Sequence, residues 1–412
     1  MRVLIVTQYF FPENFRINEI VRSLSEKGVE VDVLTGKPNY PEGRITEGYR
    51  AWGTLRETWG GATIFRAPLF PRGARSARRL AFNYLSFIFS GLIFGPWLLR
   101  KRQYDVVFVY GLSPILLAIP AIFLARLKQL KLVLWVQDLW PDSLSATGYI
   151  HHPRLLRWVE WVVRWIYKHS DLILVQSKAF VAAVSALAPG KSIAYYPNSV
   201  NATFGEQPDT RVILPKVEAL ETGFPLVFAG NVGVAQAVEV IVEAAELLKS
   251  HSEISFVVFG QGSRWDWMRE QVSTRGLTNL HLPGRFPIET MPGLMQKAGA
   301  LLVTLADEPI FAATVPNKIQ AYMAAGRPIL ACLNGEGATV VEEAKAGISV
   351  PAEDAKALTD AVLKLYNMSP SERGLMGANG RKYFKAHFDH AKLVQELMAH
   401  LRSMSATNKE ME

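Results

Sequence analysis

The chain has 412 residues, a length that suits two domains, and a formal net charge of +8 that favours an anionic partner: nucleic acid, a phosphorylated substrate or a membrane surface. Hydrophobic residues make up 49% of it, with ten tryptophans, on the rich side for a globular protein. Its one cysteine, Cys332, reads as a small core residue in an apolar strand, and it excludes a disulfide framework or a multi-cysteine metal site.

Residues 2–7 are a short β-branched run, read as a buried parallel strand rather than a signal peptide. A loop at 8–14 and an amphipathic helix at 16–27, ended by Gly28, lead to a second strand at 30–34 and the turn-rich GKPNYPEG at 36–43. Strand, loop, helix, strand opens a doubly wound α/β domain. Ligands bind beyond the carboxyl ends of such strands, which places Pro12, Glu13, Asn14, Asn39 and Tyr40 at a cleft.

Residues 66–102 contain no acid. Arg66, Arg72, Arg75, Arg78 and Arg79 precede the uncharged run LAFNYLSFIFSGLIFGPWLL at 80–99, and Arg100, Lys101 and Arg102 follow it. The length suits a bilayer span, yet a span would strand the first strands across the membrane from the rest of their domain. Three readings stay open: a buried helix pair, a true span, or a helix pair dipping into a membrane interface. In the last, Arg75, Arg78 and Arg79 meet lipid headgroups or a lipid diphosphate, and Phe87 and Phe89 meet the apolar layer.

A strand at 105–109, an apolar helix at 114–127 and a strand at 131–136 come next, the last ending in Gln137 and Asp138. Asp138 reads as a group for an acceptor hydroxyl or as a helix cap, and Asp142 as a cap. Trp158, Trp161 and Trp165 recur at helical spacing among arginines in 153–169, a pattern of core packing or of a membrane edge. No basic nucleic-acid recognition module is visible. Strands at 171–176 and 191–196 and a turn at 196–199 close the first domain, taken as residues 1–200.

Strand and helix alternation restarts at 225, giving a second domain over 201–382, a terminal helix at 383–403 and a polar tail at 404–412. Four loops fall at its strand ends: 230–236, 260–264, 283–287 and 308–318. Gly230, Asn231, Gly233 and Gln236 form a glycine loop feeding a helix start, a phosphate cradle in form. Neither this loop nor Gly260-Gln261-Gly262 is a dinucleotide or P-loop fingerprint. In 307–330, Thr314 caps a helix, Pro316 suits its first turn, and Gly326 and Pro328 stop it. Ile319, Tyr322 and Met323 give its apolar face. Lys318 opposes the helix dipole, so the reading is either a solvated lysine or a phosphate ligand.

The motifs YFFPENF, TGKPNYPEG, QDLWP, YPNSV, AGNVG and PNKIQAYMAAGRPI, in this order, make the chain resemble the GT-B glycosyltransferases of the large retaining family 4. More narrowly it is similar to the fucosamine transferases of O-antigen and capsule assembly. The resemblance implies an α/β fold of two Rossmann-like domains with an interdomain cleft, and a final helix returning to the first domain. It implies a nucleotide-sugar donor, UDP-linked, carrying an N-acetylated deoxy sugar. Lys318 and the loop at Gly233 would hold the diphosphate and the Arg285-Phe286 loop would face the base. Gly260, Arg264, Glu308, Pro316, Asn317 and Gln320 complete the donor set. The acceptor would be a saccharide on a polyprenyl diphosphate at the cytoplasmic face of the inner membrane, bound through Pro12, Glu13, Asn14, Arg16, Asn39 and Tyr40. No cofactor is expected. No Asp-x-Asp motif is present, so no metal is expected, and Lys318, helix N-termini, Arg264 and Arg285 balance the diphosphate's charge. Asp138, Gln137 and Lys318 are the catalytic set, the leaving diphosphate itself taking the acceptor proton. The chain departs from the family in Ala313 and Ala321, where relatives carry glutamates, in Asn231 and Gln236 for Arg and Lys, in Gln137 for His, and in Asn14-Phe15-Arg16 for a double glycine. A soluble acceptor, a nucleotide-sugar epimerase and a non-catalytic partner subunit are the alternatives.

Overall fold

The computed structural model describes residues 1–73, 76–146, 152–200, 204 and 211–409. They divide into two compact units: Met1–Pro197 with the chain from Ala391 onward, and Asn198–His390.

The first unit is built on a sheet of order β3-β4-β2-β1-β5-β6-β7-β8. Its strands are β1 Arg2–Val6, β2 Glu30–Thr35, β3 Leu55–Trp59, β4 Ala62–Arg66, β5 Val106–Gly111, β6 Leu132–Val136, β7 Leu172–Val175 and β8 Ser192–Tyr195. All neighbours are parallel except β3 and β4. Val3, Leu4, Ile5 and Val6 have no exposure, as expected of a strand with helices on both faces. The β3–β4 hairpin lay outside the sequence-based expectation. It turns on Gly60 and Gly61, both at positive φ, where a right-twisting two-residue turn needs glycine.

The apolar run at 80–99 forms one continuous helix, Ala77–Leu98, rather than a helix pair. Gly91 and Gly95 lie on the side facing the helix Ala118–Leu127: an added Cβ would come within 2.9 Å of Pro120 and 3.3 Å of Leu124. The two glycines allow close packing instead of ending the helix. The expected terminal helix at 383–403 is likewise replaced by two, Pro370–His387 and His390–Lys409. Phe388 at the break is buried in the second unit's core, whereas Leu393, Val394, Leu397 and Leu401 are buried beside Val3 and Ile5 in the first.

The second unit carries β9 Phe224–Ala229, β10 Ile254–Phe259, β11 Leu280–Gly284, β12 Ala300–Thr304, β13 Ile329–Cys332 and β14 Gly347–Val350. The order β11-β10-β9-β12-β13-β14 is parallel throughout. Strand direction of travel reverses between β9 and β12, which makes their carboxyl ends the topological switch point. In the first unit the same reversal falls between β1 and β5.

Candidate functional site

In the second unit Lys318 lies at the β9 end. Its helix runs Asn317–Ala325, with Ile319, Tyr322 and Met323 fully buried and Gly326 closing it at φ +69°. Thr314 does not cap this helix. Its hydroxyl donates to Ile310 O at 2.8 Å, and the capping position falls to Pro316, which has no side-chain acceptor to offer. The Tyr322 hydroxyl accepts from Ala229 N–H at 2.9 Å and donates to Leu302 O at 3.2 Å, tying the helix to β9 and β12. Sequence reasoning saw Tyr322 only as an apolar face residue.

That anchoring sets Lys318 Nζ 3.4 Å from the centroid of the Phe228 ring. Nζ is closed off from solvent and has no hydrogen-bond partner among the described residues. Burial pulls its pKa down to about 7. Gly230 leaves the space the side chain occupies, since a Cβ there would meet Lys318 Cε at 2.5 Å. A buried ammonium held only by a ring face is short of an anion.

The glycine loop shapes the surroundings. Gly260 has room only for hydrogen against Gly230 O, and Gly262 likewise against Val232 O. Asn231 Nδ2 donates to Gln236 Oε1 at 3.0 Å, and Gly233 lies under that pair. The loop ends in a 3₁₀ turn, Val234–Gln236, without a side-chain cap, and the helix Glu239–Leu247 follows it. Thr304 donates its hydroxyl to Gln236 O.

The other expected donor residues fall as follows. Arg264 is ion-paired with Glu239 and lies 4.4 Å over the Trp267 ring. Arg285 is exposed, and Phe286 stands edge-on to Phe259 at 5.4 Å. Glu308 and Asn317 are exposed. Gln320 is fully buried, with neither amide atom hydrogen-bonded among the described residues.

In the first unit the loops are tied together by side chains. The buried Glu13 carboxylate accepts from the N–H groups of Phe10 at 3.1 Å and of Asn39 and Tyr40, both at 2.7 Å. Burial pushes its pKa up to about 7 against those donors. Asn39 Oδ1 accepts from Arg72 N–H at 3.0 Å and from Asn83 Nδ2 at 3.2 Å. Asn83, in the second turn of the helix Ala77–Leu98, also accepts from Gln8 Nε2 at 2.7 Å. Arg66 is fully buried and donates to Gly36 O at 3.1 Å, to Phe11 O and to Glu57. Pro12 and Asn14 are exposed, and the Tyr40 ring sits among those of Tyr9 and Phe15. Sequence reasoning passed over Gln8, Asn83 and the pairing of Arg66. An amide in each of two apolar stretches, and a guanidinium after the run ATIF, was the signal.

Asp138 follows β6 and receives hydrogen bonds from Ser113, while burial raises its pKa above the usual carboxylate range. Ser113 Oγ also accepts from Trp140 Nε1 at 2.9 Å, so two otherwise unassigned residues position this carboxylate. Gln137 is buried, and its Nε2 lacks a partner among the described residues.

On the helix Ala77–Leu98, Arg78 and Arg79 are exposed and Arg75 lies outside the described residues. Phe87 faces inward with no exposure, so it is not available to a membrane: two positions on, Phe89 is 60% exposed. Phe82, Ile93 and Trp97 share the exposed side with Phe89. Length and composition would let this helix cross a bilayer, although a third of its apolar window is buried inside the first unit. No cluster of three or more metal-binding side chains occurs among the described residues.

Two family models match: "Glycosyl transferase 4-like domain" over residues 14–199 and "Glycosyl transferases group 1" over residues 223–368. WcaI of Escherichia coli (strain K12), a glycosyl transferase named for colanic acid biosynthesis, is 26% identical over 342 residues, covering 79% of this chain and 82% of its own. WbjE of Pseudomonas aeruginosa, named as a glycosyltransferase, is 27% identical over 311 residues, 74% of this chain and 76% of its own. The crystal structure of Anabaena HepE in complex with UDP superposes with a TM-score of 0.68 at 12% identity, covering 98% of this chain and 100% of that one. The chain thus belongs to the group 1 glycosyltransferases and has the GT-B fold of two parallel-sheet α/β domains.

Proposed function

We propose that this protein is a retaining, metal-independent glycosyltransferase. It moves a sugar from a UDP-linked donor to a saccharide carried on a polyprenyl diphosphate at the cytoplasmic membrane face, in bacterial surface polysaccharide assembly. An N-acetylated deoxy sugar of the fucosamine type is the donor favoured by the motifs. The observation that carries this reading is Lys318: a buried, unpaired ammonium at the switch point of a parallel sheet, beside a glycine loop. There it meets the charge that develops on the leaving diphosphate. In this reading Asp138 orients the acceptor hydroxyl, and the departing phosphate removes its proton. The similarity to WcaI supports polysaccharide assembly, and UDP in HepE supports the nucleotide.

Titrating a panel of nucleotide sugars while following Tm identifies the donor, because a ligand bound only by the folded state raises Tm. Lys318→Ala should lose that stabilisation and cut turnover by about 10²–10³, the range for removal of one charge-stabilising donor. Lys345→Ala, an exposed site in the same unit, should retain both. Equal activity of the two variants rejects the phosphate role. Binding without product, given acceptor lipid, identifies a non-catalytic subunit.

Peripheral attachment rests on the exposed stripe Phe82, Phe89, Ile93 and Trp97 beside Arg78, Arg79, Arg100 and Lys101. Aromatic and aliphatic groups enter the acyl boundary while arginines meet anionic headgroups. Replacing Arg78 and Arg79 by Gln should release the protein from vesicles containing phosphatidylglycerol. Unchanged co-sedimentation counts against attachment by this helix.

A further inference from the structure

The second unit holds a cavity at the opposite end of its sheet from Lys318. It lies where β9, β12 and β13 begin, and its volume is about 250 Å³. Arg327 lines it from the turn after the helix Asn317–Ala325, and Lys297 from the turn before β12. Phe224 lines it from the start of β9, and Arg373 and Gly374 from early in the helix Pro370–His387. Three cations and no carboxylate line this cavity among the described residues.

The three cations are not equally engaged. Lys297 is ion-paired with Glu221, which does not line the cavity. Arg373 is held in place by its Nη1, which donates to the carbonyls of Leu365 and Tyr366 at 2.9 Å and of Met368 at 2.7 Å, and by the Phe224 ring 5.0 Å away. Its Nε and Nη2 take no part in those bonds. Arg327 donates from Nη2 to Gln296 O, and its Nε is closed off from solvent with no partner among the described residues. Arg381 is the contrast: it spends both Nε and Nη2 on Ala324 O and Ala325 O, at 3.2 and 3.3 Å. Carbonyls at helix ends therefore account for Arg381, but for only one nitrogen each of Arg327 and Arg373.

Nearby charge does not settle the balance. Burial pulls the Arg327 pKa down, and the positive field of Arg373 acts in the same direction. Glu372, next to Arg373 in the chain, is turned back onto Ser369 and accepts from its N–H and its hydroxyl, both at 2.8 Å. Two like charges facing one partly enclosed space are short of an anion. Guanidinium forks match tetrahedral oxyanions. The volume falls below the roughly 300–1,000 Å³ of sites that enclose a whole small-molecule ligand, and is ample for one phosphate group.

We infer that Arg327 and Arg373 form a binding site for a single phosphate group at the amino ends of β9, β12 and β13. The site is separate from Lys318 and does not rest on the glycosyl-transfer reading. Its occupant is inorganic phosphate or the phosphate of a sugar monoester.

Inorganic phosphate and glucose 6-phosphate are titrated calorimetrically into the full-length protein carrying Lys318→Ala, which removes the other unpaired cation. Physiological salt screens diffuse surface attraction. Saturable phosphate binding should remain in this protein, and adding Arg327→Gln should weaken it about tenfold or more, as expected for losing a charged hydrogen bond. Arg327→Lys keeps the charge without the fork and should fall in between. Arg269→Gln, exposed and paired with Asp266, should change nothing. Tighter binding of glucose 6-phosphate than of phosphate assigns the site to a sugar monoester, and equal or weaker binding assigns it to the free ion. Absence of phosphate binding, or unchanged affinity in a folded Arg327→Gln protein, overturns the site. If that variant fails to fold, Arg327→Lys and Arg373→Lys decide: unaltered affinity in both overturns it. In an otherwise wild-type chain Arg327→Gln should leave UDP affinity within about twofold. A parallel loss of UDP binding in a folded protein overturns the separation from Lys318. If UDP fails to bind any variant while phosphate binding still depends on Arg327, the donor reading falls and this site stands.

Discussion

The carboxyl ends of the two sheets solve the same construction problem in opposite ways. In the first unit the loops after β1, β2 and β4 are joined by side chains. One carboxylate, Glu13, collects three N–H groups from two loops, and Asn39, Asn83 and Arg66 complete the bracing. In the second unit the loops after β9 and β10 are joined backbone to backbone through glycines. Val232 N–H donates to Gln261 O at 3.0 Å and Gly230 N–H to Phe259 O at 2.8 Å, leaving one buried cation above Phe228. A side-chain brace fixes loop shape and spends its polar groups doing so. A glycine junction keeps bulk out and leaves charge unspent. The first arrangement suits a surface of fixed shape. The second suits a small, highly charged group that must be approached closely.

That contrast can be broken by two substitutions. Glu13→Gln keeps size and removes the charge, and its amide nitrogen has to face at least one N–H that now lacks an acceptor. The expected cost is about 2–3 kcal/mol of stability, several degrees in Tm, with little change in UDP affinity. Gly230→Ala places a Cβ 2.5 Å from Lys318 Cε at φ +143°. The flexible end of the lysine has to leave the ring, so UDP affinity should fall about tenfold, about 1.4 kcal/mol, beside a Tm loss from the backbone strain any side chain meets at this φ. If Glu13→Gln weakens UDP and Gly230→Ala only lowers Tm, the assignment of bracing to one unit and ligand charge to the other is reversed.

The strands were legible because runs such as VLIV and PLVFA have no polar face to offer water, and parallel strands covered on both sides require that. Lys318 was legible as a cation at the wrong end of a helix dipole. Its ring partner was not, since Phe228 lies ninety residues earlier and nothing local connects the two. Glu13 reads as a cleft acid for the same reason: its donors Asn39 and Tyr40 belong to another loop, and only the fold shows that its lone pairs are taken. Composition identified the apolar stretch at 80–99 but not its inward side. Phe87 and Phe89 are alike in sequence, and packing against the sheet separates them. The hairpin at 55–66 had a Gly-Gly turn in plain view, while the alternating charges of LRETW look like a loop until β4 pairs with them.

The finest separation between the two units is a proton. Lys318, enclosed and unpaired, has its pKa lowered from 10.5 to about 7. In the unfolded chain it returns to the ordinary lysine value, so between pH 7 and 10.5 the unfolded state binds the extra proton. Stability of the empty protein should therefore rise with pH across that window through this group, and the cost is fully present below pH 7. A bound diphosphate reverses the balance by favouring the ammonium, so binding takes up a proton above pH 7. UDP affinity should then decline with rising pH, approaching tenfold per unit at the steepest. In Lys318→Met the proton uptake and this part of the slope should vanish. Calorimetry of UDP binding at pH 8 in buffers of different ionisation enthalpy counts the protons directly. An uptake near zero in the wild type would mean that the diphosphate does not draw a proton onto Lys318, and would count against its phosphate role.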